Sequence, residues 1–236
     1  MGHDVGVQIA LVVYDGVLGD ECASFRSVLE RLPDSEFVTV GGRRGPMTGP
    51  GGAQSADVSF DEVPAPDIVV VPGGLGCERV AHDLPLRRWL TAVSPRCRWI
   101  VGSSTGSIVL AAAGLLDGTP AATHWLAVGL LERYGVEHSH QRLQVTGNIV
   151  TCEGRVTALD AAFTIVEQCA GESVVAAIRH QLLEHAVADT CPRRWFRRLR
   201  TDRPARPTRA PAAPTTVMVE LTDESRRPTR RHRPPR

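Results

Sequence analysis

The 236-residue chain contains no lysine, so all 27 residues in its Lys and Arg total are arginine. That absence excludes Schiff-base and pyridoxal chemistry, protein kinases and P-loop nucleotide binding, each of which needs a lysine amine. Aromatic residues are scarce at 5%, so the core must be aliphatic. The six cysteines (22, 77, 97, 152, 169 and 191) form no CxxC pair, which argues against a structural zinc site or a disulfide scaffold. No run approaches the roughly eighteen apolar residues of a membrane span. No basic segment followed by an apolar one stands at the N-terminus. The expectation is a protein without a membrane partner, cytoplasmic and not visibly secreted.

Hydrophobic residues make up 42% of the chain, enough for one sizeable core. The net charge of +1 hides an asymmetry: residues 1–192 hold 13 arginines against 22 acids, and residues 193–236 hold 14 against 4, with seven prolines. The second segment cannot bury enough apolar surface to offset its ordering entropy, so 1–190 is expected as the folded domain and 191–236 as a disordered tail. The functional reading of that tail is a weak nucleic-acid arm. The reading preferred is a solvated terminus, because no aromatic interleaving and no DNA-binding helix pair follow residue 190.

The body alternates between two kinds of segment. Residues 7–14 are a continuous apolar, β-branched run of the kind buried on both faces of a parallel sheet, 67–74 read as another buried strand ending in a glycine turn, and 98–104 as a further buried strand. Residues 37–42 read as a shorter strand. Helical stretches are expected over 21–32, 78–92, 157–171 and 173–187. The glycine-rich segment 46–60 suits an excursion or small hairpin, and 143–154 two strands around the Gly147-Asn148 turn. This order implies a three-layer α/β sandwich with a mostly parallel sheet.

Ligands in such folds gather at the carboxyl ends of the strands. Two turns there carry chemistry. Pro72-Gly73-Gly74-Leu75-Gly76 offers backbone N–H groups to an oxyanion. Gly102-Ser103-Ser104-Thr105-Gly106 fits G-x-S-x-G, a sharp elbow that exposes a side chain at a helix N-terminus.

With VVVPGGLG, WIVGSSTGSIVLAAAGLLDGTPAATHW and NIVTCEGRVTALDAAFTIVEQCAG in this order, residues 6–187 resemble the ThiJ/PfpI family of the class I glutamine-amidotransferase-like superfamily. GLLDG and ATHW are most like its isonitrile hydratase and AraC-associated ligand-domain branch. The resemblance implies a flavodoxin-like sandwich, a small-molecule substrate or ligand, a homodimer and no cofactor. It also implies a cysteine at the elbow, where Ser104 stands before Thr105 and Gly106. His124 matches the family histidine. Glu21 matches the acid that contacts the nucleophile, although its surroundings, Glu21-Cys22-Ala23-Ser24-Phe25, depart from the usual phrase. Gly73, Gly74 and Thr105 fall where substrate or an oxyanion would bind.

A hydroxyl does not ionise as a thiol does at a helix N-terminus, so a serine nucleophile needs a positioned base, for which His124 is the candidate. Ser104 is a nucleophile, a positioning group or a relic. An α/β-hydrolase arrangement would instead pair Ser104 with Asp160 and His180 or His185. Among the remaining residues, Cys22 and Cys152 suit packing, and Cys77 a small hydrophobe or a displaced thiol near the cleft. His138 and His140 suit surface positions, not metal ligands. Trp125 suits a cleft wall or dimer contact, and Asp160 an electrostatic match to a helix start. Function divides between an enzyme of hydratase, lyase or amidase-like type and a catalytically silent ligand-sensing or scaffold domain.

Overall fold

The computed structural model describes residues 6–190, with side chains through residue 184. The arginine-rich segment expected as a tail lies outside these residues.

The elements follow in the order β1 (Val7–Val12), α1 (Gly19–Leu29), β2 (Ser35–Gly41), β3 (Gly45–Met47), β4 (Gln54–Ala56), β5 (Val58–Ser59), β6 (Ile68–Val71), α2 (Cys77–Ala81), α3 (Leu84–Val93), β7 (Trp99–Ser103), α4 (Gly106–Ala112), α5 (Val128–Arg133), β8 (Leu143–Thr146), β9 (Ile149–Cys152), α6 (Arg155–Ala170) and α7 (Glu172–Thr190). Seven strands form one sheet in the order β5-β2-β1-β6-β7-β9-β8. All its pairings are parallel except β8 with β9. The β3–β4 hairpin stands apart from it. This is an α/β flavodoxin-like sandwich.

Every residue of β6, Ile68 to Val71, is buried. Successive strand side chains point to opposite faces, so both faces of the central sheet must be covered. The helices do this in two groups. One packs α6 against α1 and α7, and the other packs α4 against α2, α3 and α5. The core is aliphatic as composition requires. Phe25 is its one fully buried aromatic ring among the described residues, and Phe60 stacks on Trp89 at 5.1 Å toward the margin.

Two local expectations change. The helix expected over 78–92 is two helices. Asp83 takes an extended conformation and its carboxylate accepts from the Leu86 N–H at 3.2 Å, while Pro85 opens the new helix. A cap and an N-terminal proline together end one helix and start another. Asp160 is not at a helix start either: α6 begins at Arg155, which leaves Asp160 exposed in its second turn. The 143–154 hairpin forms with Gly147 at φ +60°. Left-handed glycine at the first turn position matches strand twist there.

Candidate active site

The turns after β6 and β7 meet at their carboxyl ends. Ser104 follows β7 directly and adopts φ +55°, a left-handed conformation that costs a non-glycine residue about 1–3 kcal/mol. The surroundings hold it there. Its N–H donates to the Cys152 carbonyl at 2.7 Å, and its carbonyl accepts from the Thr123 hydroxyl at 2.9 Å. It is 3% exposed. A Cβ on Gly73 would lie 2.7 Å from the Ser104 Cβ, and one on Gly106 would lie 2.0 Å from the Val71 carbonyl oxygen. Only glycine allows either approach.

Glu21 reaches this elbow from the first turn of α1. The Leu18 N–H donates to the Gly73 carbonyl, and the Gly73 N–H donates to Glu21 Oε2, both at 2.9 Å. Helix and glycine turn are thereby clasped from both sides. Glu21 is 2% exposed. Burial pushes its carboxyl above the usual carboxylate range, against the opposing pull of the Gly73 N–H, the Ser103 and Ser104 hydroxyls and the nearby His124 ring. Asp20 beside it faces outward and pairs with Arg155 at 2.8 Å.

The structure thus brings Glu21, Ser104, Gly73, Gly74 and Thr105 together, but with a different division of labour from the oxyanion reading. The Gly73 N–H serves Glu21, and the Gly74 N–H donates to the Thr105 hydroxyl at 2.8 Å.

His124 shares a cavity of about 460 Å³ with Ser104 and Thr105. No hydrogen bond joins it to Ser104 among the described residues; its Nδ1 accepts from the Leu126 N–H at 3.3 Å. A neutral imidazole that accepts at Nδ1 carries its proton on Nε2. The ring therefore offers a donor, and the serine–histidine base pair considered from sequence is not formed. The α/β-hydrolase alternative is not supported by Asp160, which is exposed on α6, and the side chain of His185 lies outside those described.

The thiols among the described residues stay protonated near neutrality. Burial pushes Cys22 up to about 12 and Cys152 up to about 11, and it raises Cys77, which lines the cavity. Trp125 is 74% exposed and borders a smaller space of about 240 Å³ beyond His124. The rings of His138 and His140 meet edge-on at 6.0 Å, and the described residues hold no cluster of three metal-ligating side chains. No helix among them is long and apolar enough to cross a membrane.

Residues 7–168 match the DJ-1/PfpI family. The chain belongs to the DJ-1/PfpI family. It is 30% identical to the isonitrile hydratase of Pseudomonas putida over 185 residues, 78% of this chain and 81% of that protein. Over 131 residues it is 25% identical to the HTH-type transcriptional regulator CdhR of Pseudomonas aeruginosa, 55% of this chain but 39% of the regulator. In fold it resembles a ThiJ/PfpI family protein from Pseudomonas syringae (TM-score 0.71, 24% identity, 82% of this chain and 78% of that one). Schizosaccharomyces pombe DJ-1 gives a TM-score of 0.65 at 20% identity, over 79% of this chain and all of that one.

Within this DJ-1/PfpI domain, two contributors escaped the sequence reading. Thr123 holds the strained Ser104 carbonyl. Gly154, at φ +149°, has its missing Cβ only 3.5 Å from Glu21 Oε1 and the Ser104 Cβ. A glycine at the end of a third parallel strand was the available signal for the latter.

Ser104→Cys would place a thiol at the head of α4, where helix N–H groups favour the anion. Beside it, the raised Glu21 carboxyl can hold a proton for donation to a thiolate. The alkylation rate against pH is expected to show a midpoint below the free-cysteine value of about 8.5. A midpoint at or above that value would show that burial outweighs both donors.

Proposed function

We propose that this protein is a small-molecule-transforming enzyme that hydrates or hydrolyses an uncharged compound without a thiol nucleophile. In this reading Ser104 replaces the cysteine that the family resemblance leads one to expect. Glu21 transfers the proton, and Ser104 and His124 orient the reactant.

The observation that carries the reading is the Glu21 carboxyl, buried and raised, at the elbow that borders a 460 Å³ cavity. An acid with raised proton affinity stays available as a general acid nearer neutral pH. The cavity walls, Leu18, Leu75, Ala127 and Leu130, are apolar, and the Arg133 guanidinium at its edge lies 3.9 Å from Glu78. They suit a neutral molecule with an apolar body. The relative named isonitrile hydratase makes isonitriles the first class to test. Hydration would form a C–O bond from water to the terminal carbon, with one proton delivered to carbon and one to nitrogen, giving a formamide.

A panel of isonitriles, amides and reactive carbonyl compounds tests the reading. Ser104→Ala is expected to reduce turnover only about 2- to 12-fold, the equivalent of one hydrogen bond worth about 0.5–1.5 kcal/mol. If Ser104→Ala instead abolishes turnover and a serine-directed reagent adds mass at Ser104, the hydroxyl is a nucleophile.

One observation favours the ligand-sensing alternative: the Gly73 and Gly74 N–H groups are already engaged, so neither is free for a developing oxyanion. Binding without turnover across the panel would support that reading.

A further inference from the structure

We propose that a second cavity, at the carboxyl ends of β1 and β2, binds a free α-amino acid with an apolar side chain, Arg43 and Arg79 holding its carboxylate and Asp15 its ammonium group. The cavity measures about 340 Å³ and shares no lining residue with the one at Ser104. That volume lies at the small end of the range for small-molecule sites, about 300–1,000 Å³. Ligands of parallel α/β sheets gather beyond the carboxyl ends of the strands, which is where this space lies.

Arg43 follows β2, Arg79 stands on α2 and Asp15 follows β1. The next arginine, Arg44, is spent on Glu62 and the Asp57 carbonyl. The Arg43 guanidinium makes no hydrogen bond or ion pair among the described residues. Arg79 donates from Nη2 to the Asp15 carbonyl at 2.7 Å, which fixes it over the end of β1 and leaves the rest of its fork unused. Asp15 spends Oδ1 on the Thr48 N–H at 2.9 Å and the Thr48 hydroxyl at 3.2 Å. The Thr48 N–H, with the charges of Arg43 and Arg79 behind it, holds Asp15 below the usual carboxylate range. Two guanidiniums and an ionised carboxylate thus border one space without closing into an ion pair.

Asp83 brings a second carboxylate to the lining, its Oδ1 accepting from the Leu86 N–H at 3.2 Å, so the charges around the cavity balance. A simple anion would meet both carboxylates, and a simple cation both guanidiniums. A zwitterion offers each its opposite, and the guanidinium fork matches a carboxylate through two parallel hydrogen bonds. Met47, Phe60 and Leu86 line the same cavity and are each buried. They give an aliphatic side chain apolar surface to cover.

Calorimetric titration of the full chain with L-leucine, 4-methylpentanoate and 3-methylbutylamine tests the site. The three share one aliphatic body, and the second and third lack the ammonium and the carboxylate respectively. L-leucine is expected to bind, and each analogue to bind about tenfold or more weakly for the loss of one charged contact. Arg43→Gln and Asp15→Asn should each weaken L-leucine by about 10- to 100-fold. The asparagine keeps an oxygen for the Thr48 N–H, and it should narrow the preference for L-leucine over 4-methylpentanoate. Arg44→Gln is the control beside them and should leave the affinity unchanged.

A melting temperature that rises with L-leucine concentration is the second readout, since a ligand of the folded state stabilises it. Neither binding heat nor a melting shift with L-leucine would overturn the proposal. So would wild-type binding of 4-methylpentanoate as tight as that of L-leucine. An L-leucine affinity unchanged in both Arg43→Gln and Asp15→Asn would overturn it too, by placing the amino acid elsewhere. None of these measurements needs turnover, so the outcome is independent of the activity proposed for the Ser104 cavity.

Discussion

Glu21→Gln is expected to lower turnover by roughly 10²–10⁴-fold, the usual worth of a general acid or base, while raising the melting temperature at neutral and alkaline pH. The amide keeps the shape of the carboxyl and its oxygen can still accept from the Gly73 N–H. It lacks the transferable proton and the buried charge. Burial raises the folded-state pKa of Glu21 above its unfolded value. Its contribution to stability is therefore complete below the unfolded value and is lost as pH rises through the folded one. Above that window the wild type carries a buried anion and the variant does not, so the stability difference should grow with pH and vanish in acid. Each kcal/mol corresponds to roughly 2–4 °C in a domain of this size. Turnover on the substrate panel and melting curves from pH 4 to 9 measure both. Undiminished turnover would remove Glu21 from the mechanism. A lower melting temperature at every pH would show that its hydrogen bonds outweigh its desolvation.

Gly106→Ala is expected to be among the most damaging single-methyl additions in the domain. Its Cβ would lie 2.0 Å from the Val71 carbonyl oxygen and 2.9 Å from its carbon. Both are backbone atoms of β6, the central strand, with no rotamer that relieves the clash. Either α4 withdraws from the sheet or β6 bends, at about 3 kcal/mol or more. The melting temperature should fall by roughly 6–12 °C at 2–4 °C per kcal/mol. Because Ser104 heads the same helix, turnover should fall with it. Gly129→Ala is the matched control: it lies in α5, nothing is within 4 Å of the added Cβ, and it has no positive φ. Alanine there should stabilise by about 0.5–1 kcal/mol. Equal stability of the two variants would mean that the elbow is not packed as described.

The strands were readable because burial on both faces demands uninterrupted apolar residues, and Ile68–Val71 supplies them without a polar break. The Gly147 turn was readable because a two-residue hairpin needs left-handed backbone. The break at Asp83 was less so. Its hydrophobic pattern, with Leu86, Trp89, Leu90 and Val93 buried, continues at helical spacing, and a cap with a proline decided against it. The meeting of Glu21 with the Ser104 elbow was accessible from sequence only through family resemblance, since the residues lie in different elements.

By itself, then, the sequence determined the parallel sheet, the glycine turns at its carboxyl ends and the serine at the elbow, because each is written in contiguous residues. Tertiary structure alone decided how those groups divide their donors. The Gly73 N–H donates to Glu21 and the Gly74 N–H to Thr105. His124 accepts from its own turn and not from Ser104. The Ser103 hydroxyl is buried without a hydrogen-bond partner among the described residues. Protonation follows from burial and from the direction of neighbouring donors, and neither exists until strands far apart in the chain are packed together.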